Sequence, residues 1–198
     1  MLAKRIFDLV FTIPGFLLLL PVFIGISLWI KLDDYGPVFF RQERVGKYGK
    51  VFRIYKFRTM VMNAEKLGKQ ITVGQDSRIT KSGNFLRAYK LDELPQLLNV
   101  IIGDMSLVGP RPEVPRYVAL YPADVREKVL SVPPGLTDYS SIEYKDENTL
   151  LGSVEDPERV YIEEILPIKL AYCVRYVEER SIMVDFQLIF KTLFAIAG

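Results

Sequence analysis

The chain contains no histidine and one cysteine, Cys173. The missing histidine removes the commonest general base near neutral pH and the commonest transition-metal ligand. A single cysteine allows neither an internal disulfide nor a cysteine metal cluster, and it fits a reducing compartment. Nucleophilic or acid–base work therefore falls to Asp, Glu, Lys, Tyr, Ser or Thr. Any metal is expected to be a hard ion held by oxygen, such as magnesium. The net charge of +2 is too small to argue for a nucleic-acid partner. There is no Walker A loop and no GxGxxG turn, and neither internal repeats nor a low-complexity linker are found. A length of 198 residues suits one domain of ordinary size.

What the chain does have is apolar surface, concentrated at the N-terminus. From Leu9 to Ile30 there is no charged residue. As a straight helix this run reaches about 33 Å, enough to cross a bilayer core. Pro21 removes a backbone donor and crowds the preceding turn, which predicts a bend near Leu17–Pro21. Lys4 and Arg5 precede the run, and Lys31, Arg41, Arg44 and Lys47 follow it, so charge selects no single orientation. With both flanks cytoplasmic, the segment would enter and return through one leaflet. A plain single-pass anchor remains the alternative, because proline is tolerated in membrane helices. A cleaved signal peptide is not expected, since no small-residue cleavage site follows.

Between Arg41 and Arg58 lie seven cations against one acid, Glu43. Val51–Phe57 reads as a strand, and Thr59 as the N-cap of a helix through about Leu67. That places Lys56 and Arg58 at a strand–helix junction, where outward N–H groups would help bind a pyrophosphate or an anionic headgroup beneath the membrane. A solvated basic edge is the bland alternative. The interleaved aromatics, among them Phe52, Tyr55 and Phe57, are expected to face the core or the membrane interface rather than stacked bases.

The most telling segment runs from Lys90 to Pro112. A short helix from Ser82 to Tyr89 carries Arg87. Asp92 can then N-cap a second helix to about Ile102, with Pro95 in its first turn, Leu94, Leu97, Leu98 and Ile101 as its apolar face and Gly103 as its stop. Adjacent helical residues point about 100° apart, so Asp92 and Glu93 can serve different partners, one a substrate and the other a metal or water. The helix N-terminus is expected to keep such a carboxylate ionised. Asp104 is a further candidate ligand, or only shapes the turn. Gly109-Pro-Arg-Pro112 fixes two φ angles around Arg111 and presents its guanidinium at low entropic cost. Farther on, Val132-Pro-Pro-Gly135 is a rigid turn, and the acid-rich stretch from Asp138 to Glu164 is expected to lie away from the membrane. Leu166–Arg180 reads as a helix. Val184–Ala197 is too short to span. It either lies in the interface, with Phe186, Ile189, Phe190, Leu193 and Phe194 downward, or is a core helix.

These landmarks resemble the bacterial sugar transferases, specifically the small monotopic phosphoglycosyl transferases, over nearly the full length. The matching blocks are GPVFFRQERVGKYGKVFRIYKFRTM (Gly36–Met60), DSRITKSGNFLRAYKLDELPQLLNVIIGDMSLVGPRP (Asp76–Pro112), PPGLT (Pro133–Thr137), and Asp185 with its following apolar helix. The resemblance implies transfer of a phosphosugar from a UDP-sugar to a polyprenyl phosphate, with release of UMP. It implies a ping-pong route in which Asp92 attacks the sugar-bearing phosphate and holds the phosphosugar. Glu93 completes the dyad, magnesium held by Asp92 and Glu93 neutralises the diphosphate, and Lys56, Arg58, Arg87 and Arg111 line the phosphate site.

The implied fold is α+β and mainly helical. A re-entrant helix-break-helix hairpin is expected within residues 1–35, broken at Leu20–Pro21. A catalytic domain over residues 36–198, with a small β element and interfacial amphipathic helices, would sit at the cytoplasmic face of the inner membrane. Besides the bilayer, downstream glycosyltransferases are the expected partners. Two positions depart from the family pattern: Leu20-Pro21 stands where many members have Ser-Pro, and Cys173 stands where some have Asp. A rival reading is a membrane-anchored scaffold that binds nucleotide sugars or glycosyltransferases without turnover.

Overall fold

The computed structural model describes residues 2–64, 76–143 and 147–197. Helix α1 (Leu2–Asp33) takes up the whole apolar N-terminus, with Pro14 and Pro21 inside it. Among the described residues it is the one helix long and apolar enough to cross a membrane, and its most apolar window is only 17% buried. The expected break at Leu20–Pro21 is not present, because residues on both sides of the pair remain helical. Each proline removes one helical donor, and the surrounding turns hold the helix together.

Both ends of α1 pack on the same body. Near the start, Arg5 donates to the carbonyls of Val100 and Ile101, and Lys4 bridges Asp8 at 2.7 Å and Asp185 at 2.8 Å. At the far end, Ser82 N–H donates to Asp33 at 2.8 Å. Phe23, Ile26 and Ile30 share a core cluster with Phe57 and Leu86. The exposed apolar residues between, such as Val10, Leu17 and Leu18, face outward.

Strands β1 (Phe39–Val45) and β2 (Val51–Phe57) form an antiparallel hairpin in the register Phe39↔Phe57 to Val45↔Val51. Its turn bends through positive φ at Tyr48 and Gly49. The β2 boundaries match the strand expected from the sequence. Thr59 does not cap a helix. Instead its carbonyl accepts from Thr80 N–H, and Met60 bridges Ile79; the end of the expected helix, at Leu67, lies outside the described residues. The next helix, α2 (Lys81–Ala88), is capped by Thr80, whose hydroxyl accepts from Gly83 N–H at 3.0 Å. Gly83 is required here, because a Cβ would collide with the Thr59 carbonyl.

A 3₁₀ turn over Leu91–Glu93 leads into α3 (Gln96–Ile102), which stops at Gly103 with φ 102°. Asp92 therefore does not N-cap α3; Pro95 occupies that position without a side-chain cap. β3 (Ser106–Val108) pairs in parallel with β4 (Gly135–Thr137). Between them lie α4 (Pro115–Val118) and α5 (Ala123–Val129). After β4 come α6 (Tyr139–Glu143), α7 (Glu147–Gly152) and α8 (Pro157–Val160), then a π-helical turn at Tyr161–Ile165, α9 (Leu166–Glu179) and α10 (Ile182–Ala197). The fold is α+β and mainly helical, with two small two-stranded sheets among the described residues.

The main C-terminal core gathers Tyr117, Val129, Leu151, Ile165, Leu166 and Leu170. α10 is a core helix along one side. Leu188 is buried against Val108 and Tyr176, and Phe186 packs on Phe7 and Phe11. Phe190, Leu193 and Phe194 are exposed.

Candidate active site

The site is built where the 3₁₀ turn, β2 and the Gly-Pro-Arg-Pro loop converge. Lys90 enters the turn at φ 55°, a left-handed conformation. That reversal, directly after α2, swings Asp92 inward, and its side chain is buried. Glu93 follows and meets Lys56 from β2, Nζ to Oε1 2.8 Å. Lys56 Nζ also lies 4.0 Å from Asp92 Oδ2. From the loop, the Arg111 guanidinium pairs with the same Glu93 oxygen. Two carboxylates and two cations thus share one partly exposed cluster, as the sequence leads one to expect for Lys56, Asp92, Glu93 and Arg111.

Two supports of this cluster escaped the sequence reading. Asn99 on α3 is fully buried. Its Oδ1 accepts from Tyr55 N–H and its Nδ2 donates to the Arg53 carbonyl, each at 2.9 Å. The amide thus acts as an extra strand partner for β2 one residue from Lys56, and fixes how the carboxylate turn lies against that strand. A buried Asn within an apolar helix is the only sequence signal for this, since an unpaired amide there would be costly. Asp138 is the second support. It is buried, accepts from Arg111 N–H at 3.2 Å, and is held by Ser140 and by Ser141 N–H at 2.8 Å. The sequence reading placed Asp138 in a solvated acidic region; the parallel β3–β4 pairing brings it inside. That pairing needs glycine just after β3 and at the start of β4: a Cβ on Gly109 would sit 2.6 Å from the Pro133 carbonyl, and one on Gly135 would strike the Gly109 backbone.

Electrostatics separate the two carboxylates. Burial pushes the Asp92 carboxyl up, with the Glu93 charge adding to it, against the lowering pull of Lys56, Arg87 and Arg111. Burial also acts upward on Glu93, but Arg111 and Lys56 outweigh it and hold Glu93 well below the usual carboxylate range. The helix-terminus argument therefore fails for Asp92, which sits in a separate turn where desolvation dominates. Glu93 is a fixed anion, and Asp92 is the more basic of the pair.

The other sequence candidates are placed as follows. Arg87 on α2 is half-buried and forms no ion pair among the described residues, yet is close enough to lower Asp92. Arg58 does not join the cluster. It is buried, pairs with Asp34 at 3.1 Å and donates to the Asp34 carbonyl. Gly36 leaves the space its guanidinium fills. Arg58 therefore ties the end of α1 to β2. Asp104 shapes the turn after α3, where its N–H and that of Gly103 both donate to the Asn99 carbonyl. Arg44, not singled out from the sequence, lies beneath the Arg loop: its Nη1 donates to the Pro112 carbonyl at 3.1 Å and sits 3.5 Å from Glu113.

No group of three or more Asp, Glu, His or Cys residues suited to a metal is found among the described residues. The donor set instead fits magnesium shared with a substrate. Asp92 and Glu93 offer hard oxygens on one turn, and a diphosphate would supply the others, the usual division of magnesium ligands at phosphoryl sites.

A buried carboxylate flanked by cations on a rigid loop and a strand has the charge arrangement that a phosphoryl group needs. The family model for "Bacterial sugar transferase" matches residues 1–198, and the chain belongs to that family. It is 38% identical over 197 residues to the UDP-glucose:undecaprenyl-phosphate glucose-1-phosphate transferase of Escherichia coli, covering 98% of this chain and 40% of that protein. It is 34% identical over 192 residues to the UDP-N-acetylgalactosamine-undecaprenyl-phosphate N-acetylgalactosaminephosphotransferase of Aeromonas hydrophila, covering 96% of this chain and 42% of that protein. Exopolysaccharide production protein PSS of Rhizobium leguminosarum is 36% identical over 199 residues, covering 98% of this chain and 94% of the relative. The chain thus spans about two-fifths of the first two relatives and nearly all of the third.

Proposed function

We propose that the chain transfers a sugar 1-phosphate from a UDP-sugar to a polyprenyl phosphate, releasing UMP, in two displacements at Asp92. The observation that carries this reading is the buried Asp92 beside Lys56, in a turn whose Glu93 is locked by Lys56 and Arg111. Family membership and the names of the relatives supply the substrate classes.

In the first step an Asp92 carboxylate oxygen attacks the sugar-bearing phosphorus. The bond from that phosphorus to the bridging oxygen breaks, and UMP leaves with the electron pair. In the second step a phosphate oxygen of the lipid attacks the same phosphorus. The acyl-phosphate bond breaks, Asp92 is restored as a carboxylate, and the polyprenyl-diphosphate sugar departs. Burial makes Asp92 a stronger nucleophile than an exposed carboxylate. Arg111 and Lys56 stabilise charge on the transferring phosphoryl oxygens, and Glu93 holds both cations in place between turnovers. Arg87 supplies further positive potential from α2. Magnesium, when bound at Asp92 and Glu93, neutralises diphosphate charge.

The same reading places the site at the cytoplasmic face of the inner membrane, with both ends of the unbroken α1 on that side. The attachment of Lys4, Arg5 and Asp33 to one body supports this, since a body touching both ends of a crossing helix would itself have to pass through the hydrocarbon. Cysteines introduced at Leu2 and Tyr35 should be labelled from the same side; labelling from opposite sides would refute the same-side placement. For the chemistry, labelled UMP should exchange into UDP-sugar without lipid acceptor, and Asp92→Asn should abolish that exchange. Turnover with no acceptor-independent exchange would contradict the two-step route. A panel of UDP-sugars assayed for UMP release would identify the sugar. Downstream glycosyltransferases are the expected consumers of the product.

A further inference from the structure

A cavity of 460 Å³ lies at the opposite end of α3 from the dyad, lined by Gly103 and Met105 and by the starts of α1 and α10. None of Asp92, Glu93, Lys56 or Arg111 reaches it. Its volume falls within the range of small-molecule sites.

Its polar lining falls into two groups. Lys4 pairs with the buried Asp8 and Asp185, and Arg5 donates to two α3 carbonyls. Lys47 on the hairpin turn, over the Tyr48 ring, and the exposed Arg180 after α9 also line it, with the hydroxyls of Ser131 and Ser181. Arg180 forms no ion pair among the described residues. Four cationic and two acidic side chains line the cavity, so it carries excess positive charge. The rest of its wall is mainly apolar, including Val108, Val132 and Pro133, with Ser106 and Tyr176 among them. Beside it, Leu2 and Ile6 on α1 and Ile182 and Met183 on α10 are large exposed apolar side chains. Cations lining a pocket bordered by uncovered apolar helix residues match one chemistry: an anionic head joined to hydrocarbon chains.

We propose that this cavity binds the headgroup of one anionic phospholipid. Its phosphate sits between Lys47 and Arg180, and its acyl chains lie along the exposed faces of α1 and α10. The site is separate from the catalytic cluster and would hold the two helix starts together at the membrane surface. It depends on the membrane placement of α1, not on the transfer chemistry, so binding is read without UDP-sugar or acceptor.

The test is native mass spectrometry of the protein released from mixed micelles containing equal phosphatidylglycerol and phosphatidylcholine. The wild type should retain one phosphatidylglycerol in preference to phosphatidylcholine. The Lys47→Ala/Arg180→Ala pair should reduce that preference about 10- to 30-fold, the effect of two surface cations on an anionic lipid. Lys47→Arg/Arg180→Lys, which keeps both charges, should retain it. Equal retention of the two lipids, an unchanged preference in the alanine pair, or an equal loss in the charge-keeping pair would overturn the proposal. Inorganic phosphate competing as strongly as the lipid would also overturn it, by identifying the occupant as a soluble anion.

Discussion

Replacing Asn99 with alanine tests whether the carboxylate turn is positioned by α3 holding β2. The substitution removes two 2.9 Å hydrogen bonds and leaves the Tyr55 N–H and the Arg53 carbonyl without their side-chain partner. Asn99 is fully buried, so water does not readily replace the amide. Each strand group left unsatisfied costs about 1–3 kcal/mol, giving about 2–6 kcal/mol in all. A domain stable by about 5–15 kcal/mol can absorb the lower half of that range and remain folded. The Lys56 that meets Glu93 at 2.8 Å is one residue from Tyr55, so a loosened strand moves it. A misplacement of about 1 Å in a phosphoryl site lowers turnover on the order of 100-fold. Amide hydrogen exchange at Tyr55, denaturant unfolding in detergent and UMP release together read the effect. Faster Tyr55 exchange with lost turnover is the expected pair of results. If Asn99→Ala leaves Tyr55 protected and turnover at wild-type level, the positioning argument is wrong.

Glu93→Gln removes a charge that raises Asp92. Asp92 acts ionised, so a lower Asp92 pKa should move the acid limb of the kcat/KM profile to lower pH, even as kcat falls through the loss of the Lys56 and Arg111 anchor; a limb moving to higher pH would refute the assignment. Arg58→Met should cost about 1–3 kcal/mol of stability in chemical unfolding through loss of the Asp34 tether, with KM for UDP-sugar unchanged. A large KM increase in a folded variant would instead return Arg58 to the substrate site. Arg111→Lys keeps the charge but loses the fork, and should lower kcat/KM by roughly 10- to 100-fold; near-wild-type kinetics would show that a point charge suffices.

The sequence revealed those parts of the site that depend on local chemistry. Residues 51–57 alternate and fold as the expected strand, Gly103 stops α3, and two prolines around Arg111 announce a rigid loop. The dyad and its Lys56 and Arg111 partners were anticipated through the family resemblance, because an N-cap or a solvated basic edge explains the same charges equally well. What stayed hidden depends on distant contacts. Asp92 looks like an N-cap until the left-handed Lys90 separates its turn from α3. Arg58 looks like a phosphate ligand until Gly36 and Asp34 close over it. Asp138 reads as solvated until β4 pairs with β3, and Asn99 shows its role only once β2 lies beside it. Proline at position 21 predicts a break, yet the helix continues through it, because the neighbouring turns retain their own hydrogen bonds.

The central claim is that Asp92 carries the phosphosugar. Mixing the protein with magnesium and its UDP-sugar in the absence of lipid, quenching in acid and mapping the peptides by mass spectrometry tests it directly. The account predicts a mass increase of one sugar phosphate on the peptide containing Asp92, cleared by adding polyprenyl phosphate and absent from Asp92→Asn. An adduct on another residue, or full turnover by Asp92→Asn, would contradict it.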